Sequence, residues 1–75
     1  MDDDTIEDKL EEWTAKYAEL KYFKFSHLPG DLAMRSRRFA ELALAMASDP
    51  FHPEMARGLR KLLEAKDCAV RAALP

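Results

Sequence analysis

The final third of the chain, Pro53 to Leu74, predicts one long amphipathic helix. Apolar residues recur there at helical spacing and form a stripe along one face. The stripe consists of Met55, Leu59, Leu62, Leu63, Val70 and Ala73. Pro53 suits the first turn, where its missing N–H is not needed, and Glu54 places a negative charge at the positive end of the helix dipole. Such a stripe must pack against another surface, so this helix constrains the rest of the fold.

Two positions do not fit the stripe. Gly58 lowers helix propensity by about 1 kcal/mol relative to alanine, which predicts a close approach, most simply by another helix. Lys66 falls among apolar residues, where an unpaired ammonium is costly to bury. Its side chain either reaches the edge of the stripe, the more common arrangement, or binds an anion. Asp67 and Arg71, spaced i, i+4, are expected to form a surface ion pair.

A second helix is predicted from Leu32 to Ala47, with Asp31 as its N-cap. Its inward residues should be Leu32, Phe39, Leu42, Ala43 and Met46. Two prolines in the following connection bar helix continuation and keep it short. Short connections favour antiparallel neighbours, so residues 32–74 predict an antiparallel helical hairpin.

The second helix also carries a cationic turn formed by Arg35, Arg37 and Arg38. An inward stripe would be apolar at position 35 or 36. We therefore expect Arg35 on or near the inward face, where an anion would satisfy it.

Residues 1–20 predict an acidic helix capped by Asp4 or Thr5. Its apolar residues step by four and three positions, as in a narrow seam that packs on another helix. The seam consists of Ile6, Leu10, Trp13, Tyr17 and Leu20. Aromatic residues at this spacing are usually core residues, although Trp13 and Tyr17 could instead offer a stacking surface.

Residues 21–31 connect the first helix to the hairpin and lack helical periodicity. Aromatic rings alternate there with cations: the segment contains Lys21, Tyr22, Phe23, Lys24, Phe25 and His27. Rings stack on bases and cations pair with phosphates, so this pattern suits a nucleotide. The alternative, favoured by ordinary burial tendencies, is that Phe23 and Phe25 close the end of a helical bundle and His27 caps it.

The charge is divided unevenly along the chain, whose net charge is −2. Residues 1–20 hold eight acids and two lysines, a net charge of −6, and residues 21–75 hold ten bases and six acids, a net charge of +4. A basic body with an acidic arm suits a small anion and disfavours long nucleic acid.

The 75 residues predict a single all-α domain. A chain of this size buries only about 60% of its unfolded surface and usually needs a disulfide, a metal or self-association. The single cysteine, Cys68, excludes an internal disulfide, and His27 and His52 lack zinc-site spacing relative to it. We therefore expect no metal or cofactor, and self-association through the apolar stripe at Leu59, Leu62, Leu63 and Val70.

Neither a membrane partner nor catalysis is expected. No apolar run is long enough to span a bilayer, and the N-terminal residues lack the features of a signal peptide, which predicts a cytosolic protein. No nucleophile motif, phosphate-binding loop or paired carboxylate set occurs. His52 and Glu54 match one half of a zinc deaminase motif whose cysteine half is missing. The sequence therefore predicts a protein that is not an enzyme.

From Tyr22 to Leu74 the chain resembles the helical-hairpin domain of phage anti-CBASS and anti-Thoeris sponges. The resemblance rests on the residues F-S-H-L-P, on an arginine-bearing helix ending near F-A-E-L-A, on P-x-x-P-E and on the helix G-L-R-K-L-L-E-A-K-D-C-A-V-R-A. Its most specific part is Leu62 to Ala72.

This resemblance implies an oligomer, often a hexamer, that sequesters cyclic nucleotide immune signals in the host cell cytoplasm without cleaving them. The ligands would be cyclic dinucleotides, cyclic trinucleotides or signals of the cyclic ADP-ribose type, held in pockets between protomers. The residues implied are Phe23, Lys24, Phe25 and His27 for stacking and phosphate binding, Arg35, Arg37 and Arg38 for phosphate contacts, and Lys66, Asp67 and Arg71 in the C-terminal motif. Many members of the family carry asparagine at the position of Asp67.

Two other functions fit the same sequence. A small helical DNA-binding regulator would place the arginine turn against the phosphate backbone, and its affinity would fall steeply with salt. A structural bundle that binds a protein partner would oligomerise without responding to any nucleotide.

Overall fold

The computed structural model describes residues 1–74, and within this range the fold is all-α, as predicted. Three α-helices, α1 (Asp3–Trp13), α2 (Gly30–Met46) and α3 (Pro53–Ala72), are joined by a 3₁₀ helix (Ala18–Phe23) and short turns. Pro75, the last residue of the predicted domain, lies outside the described residues. No helix in the described range is both long and apolar enough to span a membrane.

The first helix is shorter than the predicted range of 1–20. Asp2, rather than Asp4 or Thr5, is the N-cap, and its carboxylate accepts a hydrogen bond from the Thr5 amide at 2.8 Å. The helix ends at Trp13, where the Thr14 hydroxyl donates back to the Leu10 carbonyl. Extended backbone at Tyr17 then separates α1 from the 3₁₀ helix. The predicted seam is buried except at Trp13, which is only partly buried. Its residues are not on a single helix, because Ile6, Leu10 and Trp13 belong to α1 and Leu20 belongs to the 3₁₀ helix.

The connecting segment is partly helical, which corrects the prediction for residues 21–31. The 3₁₀ helix extends to Phe23, and only the stretch from Lys24 to Pro29 is irregular. A 3₁₀ helix repeats every three residues, so Leu20 and Phe23 lie on one side and are both fully buried. This three-residue repeat differs from the 3.6-residue repeat of an α-helix, so the 3₁₀ helix leaves no α-helical pattern in the sequence.

The second helix begins at Gly30, two residues before its predicted start. Pro29 occupies the N-cap position without a side-chain cap, and the predicted cap, Asp31, lies inside the first turn. The buried face is only partly the predicted one: Ala43 is buried as expected, together with Ser36, Ala40, Leu44 and, after the helix, Ala47. The predicted residues Phe39 and Met46 pack against this core but are only partly buried. Leu42, predicted to point inward, is 50% exposed. Small side chains let neighbouring helices approach closely, which explains why alanines and a serine make up most of this face.

The last helix matches its predicted start. Pro53 is in the first turn, and the His52 imidazole caps the helix by accepting a hydrogen bond from the Glu54 amide at 3.0 Å. A Cβ at Gly58 would lie 3.3 Å from Cε of Met46, so the glycine marks a close approach by α2.

Only Leu59 of the apolar stripe is fully buried, so it belongs to the core of the single chain and is unavailable to an oligomer contact. The core contains Ile6, Leu10, Tyr17, Leu20, Phe23, Phe25, Ala40, Ala43, Leu44, Ala47 and Leu59. The rest of the stripe, including Leu62, Leu63 and Val70, is only partly covered.

Candidate functional site

The aromatic residues predicted for base stacking are core residues. Phe23 and Phe25 are 0% and 1% exposed, so neither ring has a free face for a ligand. Burial of each ring removes a large apolar area from water, which outweighs any gain from leaving it open. The structure therefore favours the bundle-closing interpretation of both side chains and corrects the stacking one.

The chain around Phe25 is held by an acid of α1. Oε1 of Glu7 accepts hydrogen bonds from two consecutive amides, those of Phe25 and Ser26, at 2.9 and 2.8 Å. Charged acceptors make stronger hydrogen bonds than neutral ones. An anion does bind this segment, but it is the protein's own carboxylate.

Lys24 is also engaged by α1, through an ion pair with Glu11. The hydrogen bond from Lys24 and its positive charge lower the pKa of Glu11 below the ordinary value of 4.5. The same hydrogen bond raises the pKa of Lys24 above 10.5. Both groups are solvent-exposed, so the pair contributes little to stability.

Arg37 has the most acceptors of the predicted cations. Its guanidinium donates to Asp3 at 2.6 Å, to Glu41 at 3.0 Å and to the carbonyl of Met1 at 2.6 Å. Asp3, Glu7 and Glu11 follow one another at i, i+4 spacing and therefore form one face of α1. That acidic face meets Arg37, the Phe25 and Ser26 amides, and Lys24 in turn.

Lys66 is largely buried, and of its two predicted arrangements the structure shows the pairing with an anion, which is a carboxylate of the protein itself. Its side chain is 12% exposed, and Nζ donates to the carbonyl of Tyr22 at 3.0 Å and pairs with Asp67 at 3.1 Å. The ammonium group needs a hydrogen-bond acceptor that the apolar stripe does not contain, and the Tyr22 carbonyl in the last turn of the 3₁₀ helix provides it. Arg71 donates to Sγ of Cys68 at 3.5 Å, so the predicted Asp67–Arg71 pair does not form.

Arg35 faces solvent rather than the interior. Its side chain is 52% exposed and pairs with Asp31 at 2.8 Å. The inward position belongs to Ser36, which is 1% exposed and whose hydroxyl has no hydrogen-bond partner within residues 1–74. The irregularity in the stripe was correctly located at 35 or 36, but the buried residue is the serine.

The open part of the predicted site is a groove between α2 and α3. It is lined by Arg35, Arg38, Phe39, Leu42 and Ala69 and has a volume of about 360 Å³. Within the described chain, Arg38 has no ion-pair partner, and Leu42 is half exposed. We call this feature the arginine groove. It combines an apolar floor with two guanidinium groups, the combination that binds a flat ring bearing an acidic group.

His27, the remaining predicted contact, is exposed. Its imidazole makes no hydrogen bond to the described residues.

Several functional-looking contacts were not expected from the sequence. The Tyr17 hydroxyl accepts a hydrogen bond from the His52 amide at 2.9 Å, and the Tyr17 ring stacks on Phe51 with 5.2 Å between centroids. Lys16 donates to the carbonyl of Asp49 at 3.0 Å. The position of Tyr17 in the seam indicated that it is buried. Its hydrogen bond with His52 and its stacking on Phe51 join residues far apart in the chain, and such contacts leave no sequence pattern.

Over residues 1–74, no three His, Cys, Asp or Glu side chains are grouped so as to hold a metal ion. Comparison of the chain with protein-family models, with curated proteins and with solved structures gave no significant match.

Proposed function

We propose that this protein is a phage anti-defence sponge that binds cyclic nucleotide immune signals in the arginine groove and sequesters them without cleavage. The observation that carries the proposal is the groove itself. Its volume of about 360 Å³ lies within the range of small-ligand sites and suits one nucleobase with its phosphate.

The groove offers two different contacts to such a ligand. Phe39 and Leu42 provide an apolar surface for the base. Arg38, which pairs with no carboxylate of residues 1–74, can bind phosphate with paired N–H donors. Arg35 already pairs with Asp31 at an exposed position, so a ligand phosphate would compete with that carboxylate. Among the residues implied by the resemblance, Arg35, Arg38 and His27 remain proposed contacts.

The proposed active form is a homo-oligomer, a hexamer by resemblance, built from antiparallel α2–α3 hairpins in the host cell cytoplasm. Leu62, Leu63 and Val70 are half-buried, so each chain offers an incompletely covered apolar surface. A cyclic dinucleotide has near two-fold symmetry, and two grooves related by a two-fold axis would bind its two halves alike.

Val70→Asp tests the assembly, because Val70 is not among the side chains packed against the core. A charge there should break an oligomer contact while the single chain stays folded. Light scattering should report a smaller mass for the variant; an unchanged mass would remove this interface.

A thermal-shift panel of cyclic di- and trinucleotides, cyclic ADP-ribose and linear controls tests binding. A ligand that binds only the folded form raises the melting temperature. Arg38→Ala should abolish the shift, whereas Arg57→Ala, which removes an exposed arginine paired with Glu54 outside the groove, should retain it. Chromatography of the ligand after heat release should recover it intact. Absence of a shift with every cyclic nucleotide would overturn the proposal, and a cleaved product would overturn sequestration.

The partly covered stripe of α3 also favours a second candidate, a structural bundle that binds a partner protein. That function predicts oligomerisation or partner capture with no nucleotide response, so the same panel separates the two. DNA affinity that falls steeply with salt would instead favour the regulator.

A further inference from the structure

A second aromatic surface lies outside the arginine groove, where the end of α1 meets the loop between α2 and α3. Phe51 is 58% exposed although its ring stacks on the buried ring of Tyr17, with 26° between the planes. Trp13, which precedes Tyr17 by one helical turn in the sequence, is half-buried. Together with Lys9 and Lys16, these residues form what we call the Phe51 platform.

The exposed ring is held in place. The His52 amide donates to the Tyr17 hydroxyl at 2.9 Å, directly beside Phe51, and Nζ of Lys16 donates to the Asp49 carbonyl at 3.0 Å. Both hydrogen bonds tie the loop to the turn that follows α1. A ring fixed in this way loses little freedom when a ligand stacks on it, so the platform is preorganised.

Two ammonium groups accompany the rings. Nζ of Lys16 lies 5.1 Å from the Trp13 ring centroid and 5.8 Å from that of Tyr17, so this lysine links the two aromatic groups. Nζ of Lys9 lies 5.4 Å from the Trp13 ring. An ammonium has three N–H donors, and Lys16 spends one on Asp49, which leaves donors for a phosphate.

We propose that the Phe51 platform is a second nucleotide-binding site, in which a base stacks on the open face of Phe51 and its phosphate pairs with Lys16. Interleaved rings and cations are the means by which proteins bind bases with phosphates. The exposed carboxylates of Asp8 and Glu12 lie next in sequence to Lys9 and Trp13, and their charge disfavours a long polyanion. The ligand of this proposal is a single nucleotide, and the site shares no residue with the arginine groove.

The test uses Trp13, the only tryptophan in the chain, as an internal reporter. Its fluorescence is titrated with guanosine 5′-monophosphate, with guanosine and with ribose 5-phosphate, and N-acetyltryptophanamide corrects for light absorbed by the base. We expect saturable quenching by the nucleotide, weaker quenching by guanosine and none by ribose 5-phosphate. Absence of saturable quenching by the nucleotide would overturn the proposal.

Variants locate the site. Phe51→Ala should weaken nucleotide affinity by at least about fivefold through lost stacking, and Lys16→Gln should weaken the nucleotide while leaving guanosine unchanged. If circular dichroism shows that Phe51→Ala melts early, Phe51→Leu keeps the apolar contact with Tyr17 and still removes the aromatic face.

Tyr22→Ala is the matched control, because Tyr22 is also an exposed aromatic residue beside a lysine but is not part of the platform. Its side chain is 56% exposed, and its ring centroid lies 5.2 Å from Nζ of Lys21. Tyr22→Ala and the groove variant Arg38→Ala should both keep wild-type quenching. If the Phe51→Ala variant keeps the quenching and the Arg38→Ala variant loses it, the nucleotide binds in the groove, and the proposed platform site is overturned. Binding restricted to single-stranded oligonucleotides would overturn the ligand class.

Discussion

Two adjacent arginines of α2 show how differently the two sides of this small protein use charge. Arg37 donates to Asp3, to Glu41 and to the Met1 carbonyl, so α1 and α2 neutralise it. Arg38, the next residue, lines the arginine groove, and none of the described carboxylates pairs with it. A ligand at Arg37 would have to displace three acceptors, whereas a ligand at Arg38 would displace no carboxylate of residues 1–74.

The number of cations in a segment therefore does not locate an anion site. The acidic face of α1 engages Lys24, Arg37 and the amides of Phe25 and Ser26, which together resemble an anion site in sequence. The side of α2 that faces α3 also offers two cations, Arg35 and Arg38, but they adjoin an open apolar surface. The acidic helix, which had no role in the resemblance, determines which cations stay open.

The largest expected contrast between the two sides comes from truncating one apolar residue on each. Phe25→Ala should lower the free energy of unfolding by about 3–5 kcal/mol, since Phe25 is 1% exposed and its loss leaves a cavity. Leu42→Ala should cost under about 1 kcal/mol, since Leu42 is half exposed. Urea denaturation measures both, and equal losses would contradict the assignment of Phe25 to the core and Leu42 to the open groove.

The next effect concerns the anion that α1 supplies. Glu7→Gln removes the charge at the Phe25 and Ser26 amides and should lower the free energy of unfolding by about 1–2 kcal/mol. Hydrogen exchange at these two amides should speed up more than at amides inside α2. Glu12→Gln is the control, because Glu12 is exposed and makes no ion pair with the described residues. If both variants behave alike, Glu7 does not hold the segment.

A third variant should stabilise the protein. Ser36→Ala removes a buried hydroxyl that has no partner, so the free energy of unfolding should rise by about 1 kcal/mol. For a chain of this size that is roughly 4–8 °C in melting temperature. Ser48→Ala, which removes an exposed hydroxyl bonded to the Ala45 carbonyl, should give no gain. A lower melting temperature for Ser36→Ala would indicate that a buried water or partner satisfies the hydroxyl.

The helices were predictable from sequence where periodicity and end signals agree. Pro53 and Glu54 mark the start of α3, and Gly58 correctly indicated a close helix contact. The inward face of α2 was predictable only in part: Ala43 is buried as expected, whereas Ser36 and Ala40, which give a weaker hydrophobic signal than Leu42, were not assigned to it. Hydrophobicity favoured Leu42, which is half exposed, whereas close packing of the helices buries small side chains at Ser36 and Ala40.

The candidate site was predictable only in part, for a different reason. The sequence identified Arg38 among three neighbouring arginines, but nothing in it shows which of them a carboxylate will meet. Lys66 is the clearest case, because its partner is the backbone carbonyl of Tyr22, and a carbonyl is present at every residue. Partners of this kind arise from tertiary packing and leave no pattern in the chain.

The smallest predicted effect is a pH dependence confined to the α1 side. The pKa of Asp2 lies below its ordinary value of 3.8, chiefly because the Thr5 amide donates to it, and the pKa of Glu11 lies below 4.5 because of Lys24. A carboxylate with a lowered folded pKa contributes stability that is fully present above its unfolded pKa and is lost as pH falls through the folded one. Lys24, whose folded pKa is raised, contributes stability below 10.5 that is lost as pH rises through its folded pKa.

The double variant Asp2→Asn, Glu11→Gln should therefore lose less stability than the wild type when the pH falls from above 4.5 to below 3.8. All three groups are exposed, so the difference should be a small shift in the urea midpoint, and added salt should reduce the part due to Glu11 and Lys24. The groove variant Arg38→Ala should follow the wild-type curve, because no carboxylate of the described chain pairs with Arg38. Superimposable curves for the double variant and the wild type would mean that the charges of α1 are solvated rather than bound, and the contrast between the two sides of α2 would then rest on Glu7 and Arg37 alone.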